Sequence, residues 1–177
     1  MEPPTSGLVP NAYWVKPGRF IAGDYPGGVD DKRTRTRLHR LLVAGVTLFL
    51  DLTEVNEHRS NPYAHLLKEE SGHLGYSIEY HRAPIRDWHV PAPEVMKHIL
   101  DTIDTALDAG QVVYVHCFAG LGRTGTVVGC YLARHGLNGE ATLAEIARLR
   151  QDLPIGWVES PEAEIQRQMV RCWQVGQ

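Results

Sequence analysis

Little in this chain suits it to cross-linking, export or membrane insertion. Its 177 residues include only three cysteines, Cys117, Cys130 and Cys172, and their spacing fits no disulfide framework, which excludes a stapled secreted domain. No apolar run approaches the roughly 20 residues that span a bilayer. Met1-Glu2-Pro3-Pro4-Thr5-Ser6-Gly7 has neither the basic region nor the apolar core of a signal peptide. A cytoplasmic protein that avoids membranes is expected. Positive charge is also scarce: the formal net charge is −3, so general attraction to nucleic acid is not expected. None of the nine histidines lies in a His-Glu-x-x-His arrangement or beside a Cys-x-x-Cys pair, and neither a metal nor a cofactor is expected.

What is present is enough apolar material for one core, at 43% of residues. Residues 1–12 read as a loose tail and 13–175 as a catalytic domain. Val15 to Ala22 suits an edge strand. Asp30 is placed to cap a helix that runs to Ala44 and stops at Gly45. Val46 to Leu50 reads as a central strand, about 54–70 as a polar connection with a short helix, and Tyr76 to Ile85 as another strand. Pro93 opens an amphipathic helix closed by Gly110. A strand at Gln111–Val115, a helix at Thr124–Arg134, a helical stripe at Leu143, Ile146, Ala147 and Leu149, and a last helix begun by Ser160-Pro161-Glu162 complete the chain. The expected fold is a single α/β domain with a short, largely parallel central sheet flanked by helices.

The chemistry concentrates in His116-Cys117-Phe118-Ala119-Gly120-Leu121-Gly122-Arg123-Thr124. A loop between a buried strand and a helix lies where unpaired N–H groups and the helix dipole favour an anion. Gly120 and Gly122 let backbone curl around a phosphate without Cβ clashes, so Phe118, Ala119, Gly120, Leu121, Gly122 and Arg123 are the expected substrate-binding residues. Cys117, its thiolate stabilised by those amides, is the expected nucleophile. Arg123 supplies a planar fork for two phosphate oxygens. Thr124 is placed to return a proton to the Cys117 sulfur, and His116 to order the loop rather than act as a base. Cys130 reads as core packing.

This loop resembles the signature of the protein tyrosine phosphatase superfamily, in its cysteine-dependent branch, and most of all the small atypical dual-specificity phosphatases. The likeness extends to Trp14-Val15-Lys16-Pro17-Gly18-Arg19, to Asp51-Leu52-Thr53-Glu54, and to His116 through Arg150. It implies hydrolysis of phosphomonoesters through a phosphocysteine. It also calls for a general acid on a nearby loop, because an ester oxygen leaves poorly as a bare anion. Asp87, in the proline-bounded Pro84–Pro91 loop, is the expected acid and, once deprotonated, the expected activator of the water that hydrolyses the phosphocysteine, with Asp51 and Glu54 as competing carboxylates. Trp88 follows the acid, and either anchors that loop or lines the cleft. Where small family members often carry a glutamine near the last helix this chain has Ala163, with Gln166 as a stand-in.

Phe118, Ala119 and Leu121 are apolar where phosphoinositide-directed relatives often place lysines, which argues for a monophosphate ester. Phosphotyrosine in a protein or peptide is the expected substrate, with phosphoserine or phosphothreonine included. A lipid, sugar or nucleotide phosphate, or phosphate binding without turnover, are the alternatives. Arg82, Arg86 and His89 read either as a basic rim or as solvated surface. A monomer is expected.

Overall fold

Strands built from consecutive apolar residues need cover on both faces, and the fold supplies it in three layers. The computed structural model describes residues 8–57 and 62–177. Five strands lie in the order β1-β2-β5-β3-β4: β1 (Tyr13–Lys16), β2 (Phe20–Gly23), β3 (Leu48–Asp51), β4 (Glu79–Arg82) and β5 (Val113–His116). All neighbours are parallel except β1 and β2. Alternation along each strand divides its side chains between two cores. Phe20, Ala22, Leu48, Leu50, Val113 and Val115 face one cluster, while Ile21, Phe49 and Tyr114 face the other.

The second cluster lies under α1 (Asp31–Val43) and α2 (Ala64–Leu74). The first lies under α3 (Pro93–Asp108), α4 (Gly122–Arg134), α5 (Gly139–Arg150) and α6 (Glu164–Cys172). Local chemistry sets the helix ends. The Asp30 carboxylate accepts from the Arg33 N–H at 2.8 Å, and Pro93 occupies the first turn of α3, where a missing N–H costs nothing. Among the described residues no helix is long and apolar enough to cross a membrane.

Four readings of the sequence need correction. The expected tail begins to pack early: Leu8, Val9 and Ala12 are buried in the second cluster, while residues 1–7 lie outside the described residues. The single edge strand over 15–22 is a hairpin, because the chain reverses between Lys16 and Phe20, with the Arg19 N–H on the Lys16 carbonyl at 3.0 Å. The expected strand over 76–85 shortens to β4, whose side chains are largely exposed at the sheet edge. The short helix expected within 54–70 begins at Ala64, and residues 58–61 lie outside the described residues.

Candidate active site

Parallel pairing of β5 with both β2 and β3 puts its C-terminal end at the centre of the sheet, beside Gly23 and Asp51. Cys117 therefore leaves the sheet at its middle and is only 2% exposed. The loop after it is fastened by its carbonyl groups. The Phe118 carbonyl accepts the Tyr25 N–H at 3.0 Å, the Leu121 carbonyl accepts the Ser160 hydroxyl at 2.8 Å, and the Cys117 carbonyl takes His116 Nδ1 at 3.1 Å. With its carbonyls held outward, the loop offers an anion in its hollow the N–H groups that are not engaged elsewhere, as those of Cys117 and Gly122 are by Thr124 and Glu162. Gly120 has φ of +73°, and a Cβ there would stand 2.7 Å from the Gly23 carbonyl carbon. Only glycine satisfies both the turn and the close approach.

His116 is fully buried and hydrogen-bonded at both nitrogens. A carbonyl can only accept, so Nδ1 carries the hydrogen and Nε2 accepts from the Tyr63 hydroxyl at 2.6 Å. Burial holds its proton affinity below the ordinary imidazole value, and burial keeps the Tyr63 hydroxyl protonated. Tyr25 packs edge-on against both rings.

Thr124 is placed differently from expectation. Its hydroxyl accepts the Cys117 backbone N–H at 2.8 Å and donates to the Gly23 carbonyl at 3.4 Å, so it holds the backbone of Cys117 rather than its sulfur.

Arg123 is buried, and its fork is engaged. Nη1 and Nη2 donate to Glu57 Oε2 and Oε1 at 2.6 and 2.5 Å, Nη1 also reaches the Ile85 carbonyl at 3.1 Å, and Asp87 Oδ1 lies 3.0 Å from Nη2. The fork expected to hold phosphate is thus fixed by Glu57. Nε is a buried donor with no acceptor among the described residues, and it sits on the residue that directly follows the anion loop. A phosphate oxygen would satisfy it.

Sequence reasoning missed Glu57. Its signal was the preceding Asn56, a residue tolerant of left-handed backbone, which has φ of +62°. That turn brings the Glu57 N–H to the Glu54 carbonyl at 3.3 Å and swings the carboxylate onto Arg123.

Asp87 reaches the site, whereas the competing Asp51 serves structure. Asp51 is wholly buried, taking bonds from the Thr53 N–H and hydroxyl, the Tyr80 hydroxyl and Arg82. Arg82 therefore belongs to that network and not to a basic rim, while Arg86 and His89 are exposed. Glu54 is exposed too. The loop that carries Asp87 is a tight turn closed by the His89 N–H on the Arg86 carbonyl at 3.1 Å. Trp88 takes φ of +61° there and leaves its indole 57% exposed, so it does not anchor the loop in the core.

The last helix starts later than Ser160-Pro161-Glu162 predicts, at Glu164, because Ser160 spends its hydroxyl on Leu121. The lead-in brings Glu162 Oε2 to the Gly122 N–H at 3.1 Å. Gln166 is buried, accepting the Ala163 N–H at 3.1 Å and donating to the His89 carbonyl at 3.2 Å, which ties α6 to the Asp87 loop. Among the described residues no group of three or more His, Cys, Asp or Glu side chains is placed to hold a metal ion.

A family model described as the Swiss Army Knife protein DSP-PTPase phosphatase domain matches residues 9–168. The chain belongs to this family. Human dual specificity protein phosphatase CDC14C is 35% identical over 80 residues, covering 45% of this chain and 17% of that protein. The Arabidopsis thaliana phosphatidylinositol 3,4,5-trisphosphate 3-phosphatase and protein-tyrosine-phosphatase PTEN1 is 34% identical over 94 residues, 52% of this chain and 22% of its own length. The match therefore spans a minor part of both relatives. The crystal structure of Tk-PTP in its active form shares the fold at a TM-score of 0.71 and 24% identity, covering 92% of this chain and 95% of that one. This DSP-PTPase chain is thus a small dual-specificity member of the tyrosine phosphatase superfamily with a five-stranded, mostly parallel sheet.

Proposed function

We propose that the protein hydrolyses phosphotyrosine in proteins, and phosphoserine or phosphothreonine by the same route, through a phosphocysteine intermediate. The observation that carries this reading is the meeting of Asp87 with Arg123 at 3.0 Å at the rim of the loop that begins at Cys117. The Cys117 thiolate attacks phosphorus, the P–O bond to the leaving group breaks, and Asp87 gives that oxygen a proton. Water then attacks the phosphocysteine, its proton passing to the Asp87 carboxylate, and the S–P bond breaks with its electron pair returning to Cys117. Phosphate arriving at Arg123 competes with Asp87 for the guanidinium, which frees the carboxyl to carry that proton. His116, Thr124 and Glu57 act as positioning residues, through the backbone of Cys117 and the plane of Arg123.

Apolar Phe118, Ala119 and Leu121 support a monophosphate over a headgroup bearing several phosphates, which would want cations there. The name of the Arabidopsis relative covers both lipid and protein substrates, so a phospholipid or other small ester is the second reading. Release of phosphate from a phosphotyrosine peptide, in EDTA and reductant, tests the proposal against Cys117→Ser. Turnover lost in the mutant supports it. Turnover of phospholipid or small phosphate esters alone would replace protein substrates with non-protein ones. A native chain that binds phosphopeptide without turnover would be a phosphate reader.

A further inference from the structure

We propose that Arg86 selects phosphotyrosine flanked by an acidic residue, its guanidinium pairing with a glutamate or aspartate next to the phosphorylated residue or one place beyond. This preference deepens the phosphoprotein reading above and rests on it.

The turn that carries Asp87 gives Arg86 a fixed base. The Arg86 carbonyl accepts the His89 N–H at 3.1 Å, Asp87 Oδ1 accepts the Trp88 N–H at 3.1 Å, and the Asp87 carbonyl accepts His89 Nδ1 at 2.8 Å. Gln166 holds the far end through the His89 carbonyl at 3.2 Å. From this turn the Asp87 carboxylate reaches Arg123 at 3.0 Å, while the Arg86 side chain is exposed. A cation already mounted on a rigid turn loses little freedom when it meets a partner.

Other arginines are engaged within the fold: Arg82 by Asp51, Arg123 by Glu57 and Arg167 by Glu164. Arg86 has no ion pair among the described residues. The carboxylates of the site are committed too, Glu57 and Asp87 to Arg123 and Glu162 to the Gly122 N–H. Trp88 and Phe118, exposed on the same two loops, are apolar. Arg86 is therefore the cation that these loops offer to an arriving peptide.

Reach limits what it can read. Arg86 and Asp87 have Cα atoms about 3.8 Å apart, and an extended peptide advances roughly 3.5 Å per residue. With the phosphate ester at Asp87, residues close to the phosphotyrosine come within range and distant ones do not. The planar fork suits a carboxylate, which can take two parallel N–H bonds. With a net charge of −3 the chain as a whole gives an acidic peptide no general attraction, so the preference is local.

Initial rates on phosphotyrosine peptides that differ at a single flanking residue, Glu against Gln on either side, test this. At low salt the native chain should favour the glutamate peptide on at least one side by about 3- to 5-fold in kcat/KM, the scale of an ion pair at a rim. The difference should lie in KM and fade at high ionic strength. Arg86→Gln should bring the ratio to about one, and Arg86→Glu should invert it. Arg40→Gln, which removes the same charge from the exposed last turn of α1, should leave the native ratio in place. Equal rates on both peptides by the native chain would overturn the preference. So would a glutamate preference that survives Arg86→Gln, or one that Arg40→Gln also abolishes, since either puts its source elsewhere. A native chain that turns over no phosphotyrosine peptide would remove the protein-substrate reading, and this preference with it.

Discussion

Two side chains at the site do work that their residue types alone do not announce. Glu57 fixes both ends of the Arg123 fork, so its loss frees the guanidinium to rotate out of register. Glu57→Gln should lower kcat/KM by about 100-fold, the scale of a small misplacement of a group that meets the transition state. Unchanged kinetics would show that the Ile85 carbonyl and Asp87 suffice to hold Arg123. Tyr63 is the donor to His116 Nε2. Tyr63→Phe leaves a buried acceptor unpaired and should cost about 1–3 kcal/mol in chemical denaturation, with slower turnover because the ring that braces the Cys117 carbonyl is no longer held at Nε2. A loss confined to stability would separate the histidine from catalysis.

The loops proposed to carry the chemistry are tight turns, and Gly120 in one of them is not interchangeable with alanine. Gly120→Ala would drive a Cβ into the backbone of Gly23 at a left-handed position, so soluble variant should have little or no activity; retained activity would show that the loop has room to spread. Trp88 holds the same kind of strained conformation with an exposed indole. Trp88→Gly should relieve about 1 kcal/mol of backbone strain and raise the midpoint of unfolding. A lower midpoint would reveal packing by the indole that outweighs the strain. Elements with a strong local signature were legible from sequence: the Asp30 cap, the Pro93 start, and the strand-loop-helix around Cys117 were all placed to within a few residues. The β1–β2 hairpin was not, because a four-residue strand leaves too short a pattern to show its own reversal. The start of α6 was misread because Ser160 spends its capping hydroxyl on a loop distant in sequence, which no local window reveals. Asn56 marked the turn before Glu57, but the partner Arg123 lies 66 residues away and comes near only in the fold.

Over the whole molecule, the buried polar network couples the site to the stability of the fold. Burial lowers the His116 pKa in the folded state, so at mildly acidic pH the unfolded chain binds more protons. Stability from this group is therefore complete above its ordinary value and falls as pH drops below about 6.5. Melting temperature should decline through that range, well before Asp51 matters: burial pushes Asp51 upward, but His116, Thr53 and Tyr80 more than offset it and keep it below the ordinary carboxylate range. A flat profile down to the carboxylate range would mean that the imidazole can be charged in place. Helix α4 is buried along nearly all its length, from Gly122 to Tyr131, and it is the same helix whose first turn closes the anion loop. The cradle is therefore welded to the centre of the molecule rather than hung on its surface. Thermal inactivation and global unfolding should then trace a single curve, with no window of temperature in which an intact fold has lost its grip on phosphate.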